Sequence, residues 1–207
     1  MMTPVTPIPD FITHYHLPDR RPFLNLSELD DESLAETIAE LRIVGTAGRS
    51  ERRFGPRYMS LRKRTEELLH HRFVQAGGRP QRRAPHYFVL GESAWFRGLY
   101  QDAAAVRLRL DDIPTEQISF TLPDSVAAMG LLPEYGIEVT PRPYHGTVFR
   151  IEELTDVAER YGLPGGARPA SYQGYEFEDV EHFLEVQVWS DEPLEPYLHG
   201  PCGGVGS

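Results

Sequence analysis

Long apolar runs are missing from this 207-residue chain. No stretch approaches the ~20 consecutive apolar residues of a membrane-spanning helix, so no membrane span is expected. The opening residues, MMTPVTPIPDF, hold no basic region followed by an apolar stretch, so no secretory signal is expected either. Cysteine is nearly absent. Cys202 stands alone in a Gly-rich tail, which excludes an intrachain disulfide and makes a reducing, cytoplasmic compartment the expectation. Lysine is as scarce, with Lys63 set against twenty arginines. Several short signatures of chemistry are also lacking. Without GxxxxGKS/T or a GxGxxG after a strand, the phosphate-cradling loops of the common nucleotide folds are excluded. Without GxSxG or HExxH, serine-hydrolase elbows and zincin metal sites go too.

What is present suits a folded protein. Apolar residues make up 40% and charged residues 25%, enough for a packed core. Net charge is −10, but it is unevenly spread. Residues 47–86 hold eleven Arg and Lys against three acids, a local charge of +8, which leaves −18 for the remainder. This basic segment, 47–83, is a candidate surface for a nucleic-acid backbone. The competing reading is a solvated helix face paired with the acidic remainder.

The chain divides by texture. Residues 1–26 carry Pro at 4, 7, 9, 18 and 22 and read as an extended arm over the core. His14 and His16 share a face at strand spacing, but nothing nearby completes a ligand set, so no metal is expected. Residues 27–42 read as a helix with a Leu34, Ile38, Leu41 stripe, and a second helix runs from near Pro56 to Gly77-Gly78. From 86 onward come the strands HYFVL, VRLRL, QISFTL, YHGTVFRI and HFLEVQVW, interleaved with short helices. A loop is expected over 163–175, and His145 in YHGT reads as part of a turn. The expectation is an α+β fold: arm and two helices over 1–85, a mixed or antiparallel sheet core over 86–198, and a disordered tail over 199–207.

Chemistry is sought in polar residues on apolar strands. His86 opens HYFVL, Arg107 and Arg109 decorate VRLRL, and Glu185 shares a face with Phe183, Gln187 and Trp189. A carboxylate on such a strand costs several kcal/mol, to order of magnitude, unless it is paired or faces a cleft. Pairing would make Glu185 a salt bridge to Arg107 or Arg109. A cleft would set it against a cationic or polarised substrate.

These residues carry a resemblance. Residues 86–198 look like the ADP-ribosyltransferase fold, and most like toxins that modify thymidine in single-stranded DNA. His86 and Gly98-Leu99 match a His-led first strand and a helix ending in Gly-Leu. Arg107 or Arg109 precedes ISFTLPDSVAAM as the family's Arg-bearing strand precedes its next segment. YHGTVFRIEEL falls at a strand entering a helix, and EVQVWSDEPLE matches the closing strand that starts with the catalytic glutamate. The resemblance implies NAD⁺ as donor, His86 with Arg107 or Arg109 contacting it, Glu185 as the catalytic carboxylate, and a nucleic acid or other acceptor. Phe183 stands where arginine-modifying transferases carry Gln or Glu, which points away from that acceptor. Phe88 replaces the Thr that follows the first His by two, and this departure implies the alternative, a non-catalytic binding protein on a degenerate transferase-like fold.

Overall fold

The computed structural model describes residues 7–47, 57–98, 102–135, 138–163 and 183–198. Its strands are short, and their alternation sorts side chains cleanly between two faces. They are β1 (Phe11–His16), β2 (His86–Leu90), β3 (Ala104–Arg109), β4 (Ile118–Thr121), β5 (Phe149–Arg150) and β6 (Glu185–Val188). All six join one sheet in the order β3-β1-β2-β6-β4-β5, and every pairing is antiparallel. The helices are α1 (Asp31–Ala47), α2 (Tyr58–Gln75), α3 (Ala94–Arg97), α4 (Ser125–Ala128), α5 (Leu154–Tyr161) and α6 (Glu195–Leu198). The α+β class expected from sequence is what forms.

One sheet face is a continuous apolar layer. Ile12, Phe88, Val106, Leu108, Val186, Val188, Ile118, Phe120 and Phe149 lie on it, covered by Leu154 and Val157 of α5, Tyr144 and Leu194. Burial of this layer is the main driving force for the fold. The opposite face is polar at its centre. Register aligns Val89 with Glu185 and Glu185 with Thr121, then Tyr87 with Gln187 and Gln187 with Ser119. Beside that strip α2 lays Leu69 and Phe73 against Trp189 and Val148. The Phe73 and Trp189 rings stack with centroids 5.6 Å apart.

The arm is the first correction. Residues 11–16 are not laid over the core; they form β1, hydrogen-bonded to β3 along its whole length and to β2 at Ile12 and Thr13. Thus the first 85 residues and the core share one sheet. The signal was faint because His14 and His16 occupy the side that holds aliphatics in the other strands, leaving Ile12 as the one aliphatic residue there. The second correction concerns YHGTVFRI. Phe149 and Arg150 alone are strand, while 144–147 turn through Gly146 at φ +81°. The expected loop over 163–175, Leu163 excepted, and the tail 199–207 lie outside the described residues.

Candidate functional site

β1 and β2 begin as a ladder and then part. Two register pairs join them, Ile12 with Leu90 and Thr13 with Val89, after which backbone pairing stops. The His14 ring fills the parting. Its Nδ1 lies 2.9 Å from the Tyr87 carbonyl oxygen, and its Nε2 accepts from the Phe23 N–H at 3.3 Å. An acceptor at Nε2 puts the ring proton on Nδ1, where it donates to Tyr87 O. Burial, reinforced by the neighbouring His16 and His86, lowers the His14 pKa to about 4 against the pull of the Tyr87 carbonyl.

A cleft of about 280 Å³ opens along this parting. Consecutive residues of both strands, Thr13–Leu17 and Pro85–Val89, line it, as a gap between strands requires. Thr37 and Leu41 of α1, and Tyr58, Leu61, Arg62 and Thr65 of α2, also line it, with Arg20, Arg21 and Phe96. Phe23–Leu26, Ser125, Val126 and Glu185 complete the lining.

Glu185 is the charged group that this cleft treats most unusually. Its Oε1 accepts from Ser125 N–H at 3.3 Å and from Gln187 Nε2 at 3.1 Å. Both of these bonds end on Oε1, and the Ser125 hydroxyl also lies within reach of the carboxyl group. Burial first, then the charge of Asp124, raises the carboxyl pKa to about 7, with the Ser125 and Gln187 hydrogen bonds opposing the shift. The neighbouring Tyr87 hydroxyl donates to Glu66 Oε1 at 3.4 Å. Burial, with the Glu66 charge, pushes the phenol well above its usual range. Arg62 faces inward: Nε is 3.0 Å from Glu66 Oε1 and 3.2 Å from Ser27 Oγ, and Nη2 is 3.3 Å from Asn25 Oδ1.

The structure brings together part of the set expected from sequence. Glu185 and His86 both line the cleft. They lie on opposite faces of the sheet, because His86 pairs with Val188 while Glu185 pairs with Val89. His86 Nε2 sits 2.8 Å from Asp191 Oδ1, and its ring meets the Phe23 ring edge-on at 5.5 Å. Burial lowers its pKa, with Asp191 opposing. Arg107 and Arg109 do not line the cleft. They lie on the edge strand β3, 54% and 60% exposed, so neither pairs with Glu185. Arg107 pairs with Glu92, and Arg109 lies 3.5 Å from Asp10 and 3.3 Å from Asp111.

Other cations take the place beside the cleft. Arg20 pairs with Glu40 of α1, whereas Arg21 makes no ion pair with a described residue. Nothing in the Pro-rich arm signalled either residue. Gln187 did carry a signal, since it shares the face of Glu185 in the strand alternation. The basic segment is partly consumed within the fold: Arg62 is internal, Arg64 pairs with Glu134 at 2.7 Å, and Arg82 bridges Asp191 and Glu28. Arg49, Arg52 and Arg53 lie outside the described residues. No group of three or more His, Cys, Asp or Glu side chains among the described residues forms a metal cage, and no helix among them is long and apolar enough to cross a membrane. Comparison with protein-family models, with curated proteins and with solved structures gives no significant match to the chain.

Proposed function

We propose that the cleft between β1 and β2 is the active site of an ADP-ribosyltransferase-like enzyme that uses NAD⁺ to modify a nucleic acid or another acceptor. The observation that carries this reading is one buried carboxylate, Glu185, in the lining of a cleft with aromatic rings and arginines. NAD⁺ pairs a cationic aromatic ring with an anionic diphosphate, and the cleft offers partners for both. Tyr15, Tyr87 and Phe96 supply aromatic surface, Glu185 the negative charge, and Arg21 with Arg20 the positive charge. When bound, NAD⁺ supplies an ADP-ribosyl group whose transfer releases nicotinamide and passes through developing positive charge at the ribose. Glu185 lowers the energy of that charge electrostatically, as a carboxylate held in a partly dry site does strongly. Its ionised form is the working one, so turnover rises with pH through about 7.

Nicotinamide release by the purified full-length protein tests the reading. The Glu185→Gln variant, which keeps shape and hydrogen bonding, is expected to lose about a hundredfold or more in rate. Undiminished turnover in that variant, or no turnover in the parent, sinks the assignment.

A second reading, binding without turnover, draws support from Phe88. At the position where the family's Thr stands, this ring is 2% exposed and packs against Phe23 and His14. Under this reading NAD⁺ raises the melting temperature but is not consumed. A flat melting temperature together with no turnover removes both.

A further inference from the structure

Beneath Glu185 lies a buried row of polar side chains on β4 and β6 whose hydrogen bonds run in one direction. Trp189 Nε1–H, which can only donate, gives its proton to Ser119 Oγ at 2.9 Å. The Ser119 hydroxyl then donates its own proton to Gln187 Oε1 at 2.9 Å. That bond fixes the amide, so Gln187 Nε2 faces the other way and donates to Glu185 Oε1 at 3.1 Å and to Thr121 Oγ1 at 3.0 Å. Gln187, Ser119, Thr121 and Trp189 are each fully buried. An amide nitrogen cannot accept a proton, and the second donor to Oε1 is the Ser125 backbone N–H. Both neighbours of Oε1 are therefore donors whatever the charge of the carboxyl group.

We propose that Gln187 is a positioning residue: held by Ser119 and Trp189, it keeps Glu185 Oε1 an acceptor and directs the carboxyl proton to Oε2. An unoriented carboxyl group would share its proton between two oxygens, one of them aimed into protein. Here Oε1 is closed to the proton, which leaves Oε2 and, beside the group, the Ser125 hydroxyl. The ionisable groups that bear on Glu185 are Asp124, before α4, and Tyr87 on β2, whose hydroxyl donates to Glu66. Tyr15 on β1 and Arg62 on α2 line the same cleft, and the Ser125 hydroxyl beside the carboxyl group can donate to it or accept from it. The inference rests on Glu185 being the working group of the cleft, but its test requires no turnover.

The test is an NMR titration of the full-length protein, ¹³C-labelled at glutamate side-chain carboxyls, with Glu185→Gln identifying the resonance. In the parent, the Glu185 midpoint is expected near 7. Gln187→Met keeps the volume and removes the donor, so the midpoint rises by about one unit, the worth of one hydrogen bond to a charged group. Ser119→Ala removes one oxygen and frees the amide to turn its carbonyl toward Oε1, which also raises the midpoint. A purely structural row predicts lower stability in urea with the Glu185 midpoint unmoved, and that result overturns the proposal. Should Gln187→Met fail to fold, Ser119→Ala decides alone. Raised midpoints without NAD⁺ turnover keep the positioning role and remove the transferase reading.

Discussion

His14 stands where the β1–β2 ladder would have continued, and one neutral imidazole replaces it by serving the Tyr87 carbonyl and the Phe23 N–H together. Losing both partners strands two backbone groups away from water. His14→Leu is therefore expected to cost about 2–4 kcal/mol at pH 7, measured by urea unfolding. His14→Gln presents a donor and an acceptor on one side chain, and is expected to recover more than half of that loss. The same geometry explains why the ring resists protonation. An imidazolium would turn the Nε2 acceptor into a donor facing the Phe23 N–H, so acid removes a bond as well as burying a charge.

At the scale of elements, the two long helices differ in what they bury. The inner side of α2 buries Thr65, Glu66, Leu69 and Phe73. Across Asp31–Leu41 of α1 no side chain is fully buried, and the helix is tied down by the Arg20–Glu40 pair and by Thr37 and Leu41 at the cleft. Leu69→Ala is expected to cost about 2–5 kcal/mol and Leu34→Ala less than about 1 kcal/mol in urea unfolding. The end of α2 is as closely fitted, since a Cβ on Gly78 would come 2.4 Å from the Phe73 ring.

Legibility in the sequence followed these physical differences. α2, β3, β4 and β6 were readable because breakers and apolar periodicity agree there, whereas α1 runs past its expected end at 42 to Ala47. The face of Glu185 was readable from the alternation of β6. The face of His86 was not, because HYFVL is apolar or aromatic at nearly every position and assigns no side; only its register with β6 does so. β1 was hidden by its histidines. The arginine partners were misplaced for another reason: strand alternation says which face Arg107 and Arg109 share, but not that β3 lies at the edge of the sheet.

For the molecule as a whole, two buried groups pull stability in opposite directions as pH changes. His14 has a folded pKa lowered from 6.5 to about 4, so its contribution is complete above 6.5 and is lost as pH falls through 4. Glu185 has a folded pKa raised from 4.5 to about 7, so its contribution is complete below 4.5 and is lost as pH rises through 7. Each amounts to about 3 kcal/mol over its full range, to order of magnitude. Between pH 5 and 7 these two slopes nearly cancel, leaving the parent protein the fall in stability toward pH 5 that His70 and His86, both lowered by burial, contribute. Glu185→Gln leaves the histidine slopes alone, so relative to the parent that variant should lose about 2 kcal/mol on going from pH 7 to pH 5. His14→Gln should gain a similar amount over the same interval. Urea unfolding of the three proteins at both pH values checks the arithmetic, and parallel profiles would show that neither group titrates as its surroundings dictate.

β1 is first in the chain and second in the sheet, which has a consequence for how the protein is made. Its partners lie more than seventy residues downstream, Ile12 against Leu90 and Phe11 against Arg109. On the ribosome the strand emerges with no ladder to join, and its edges stay bare until β2 and β3 have been synthesised. Pairings of such long sequence separation place the chain among slow folders, in the range of milliseconds to seconds. β1 is thus a keystone fitted late: the β1–β2 parting, and the cleft within it, comes into being only when strands more than seventy residues downstream close around it.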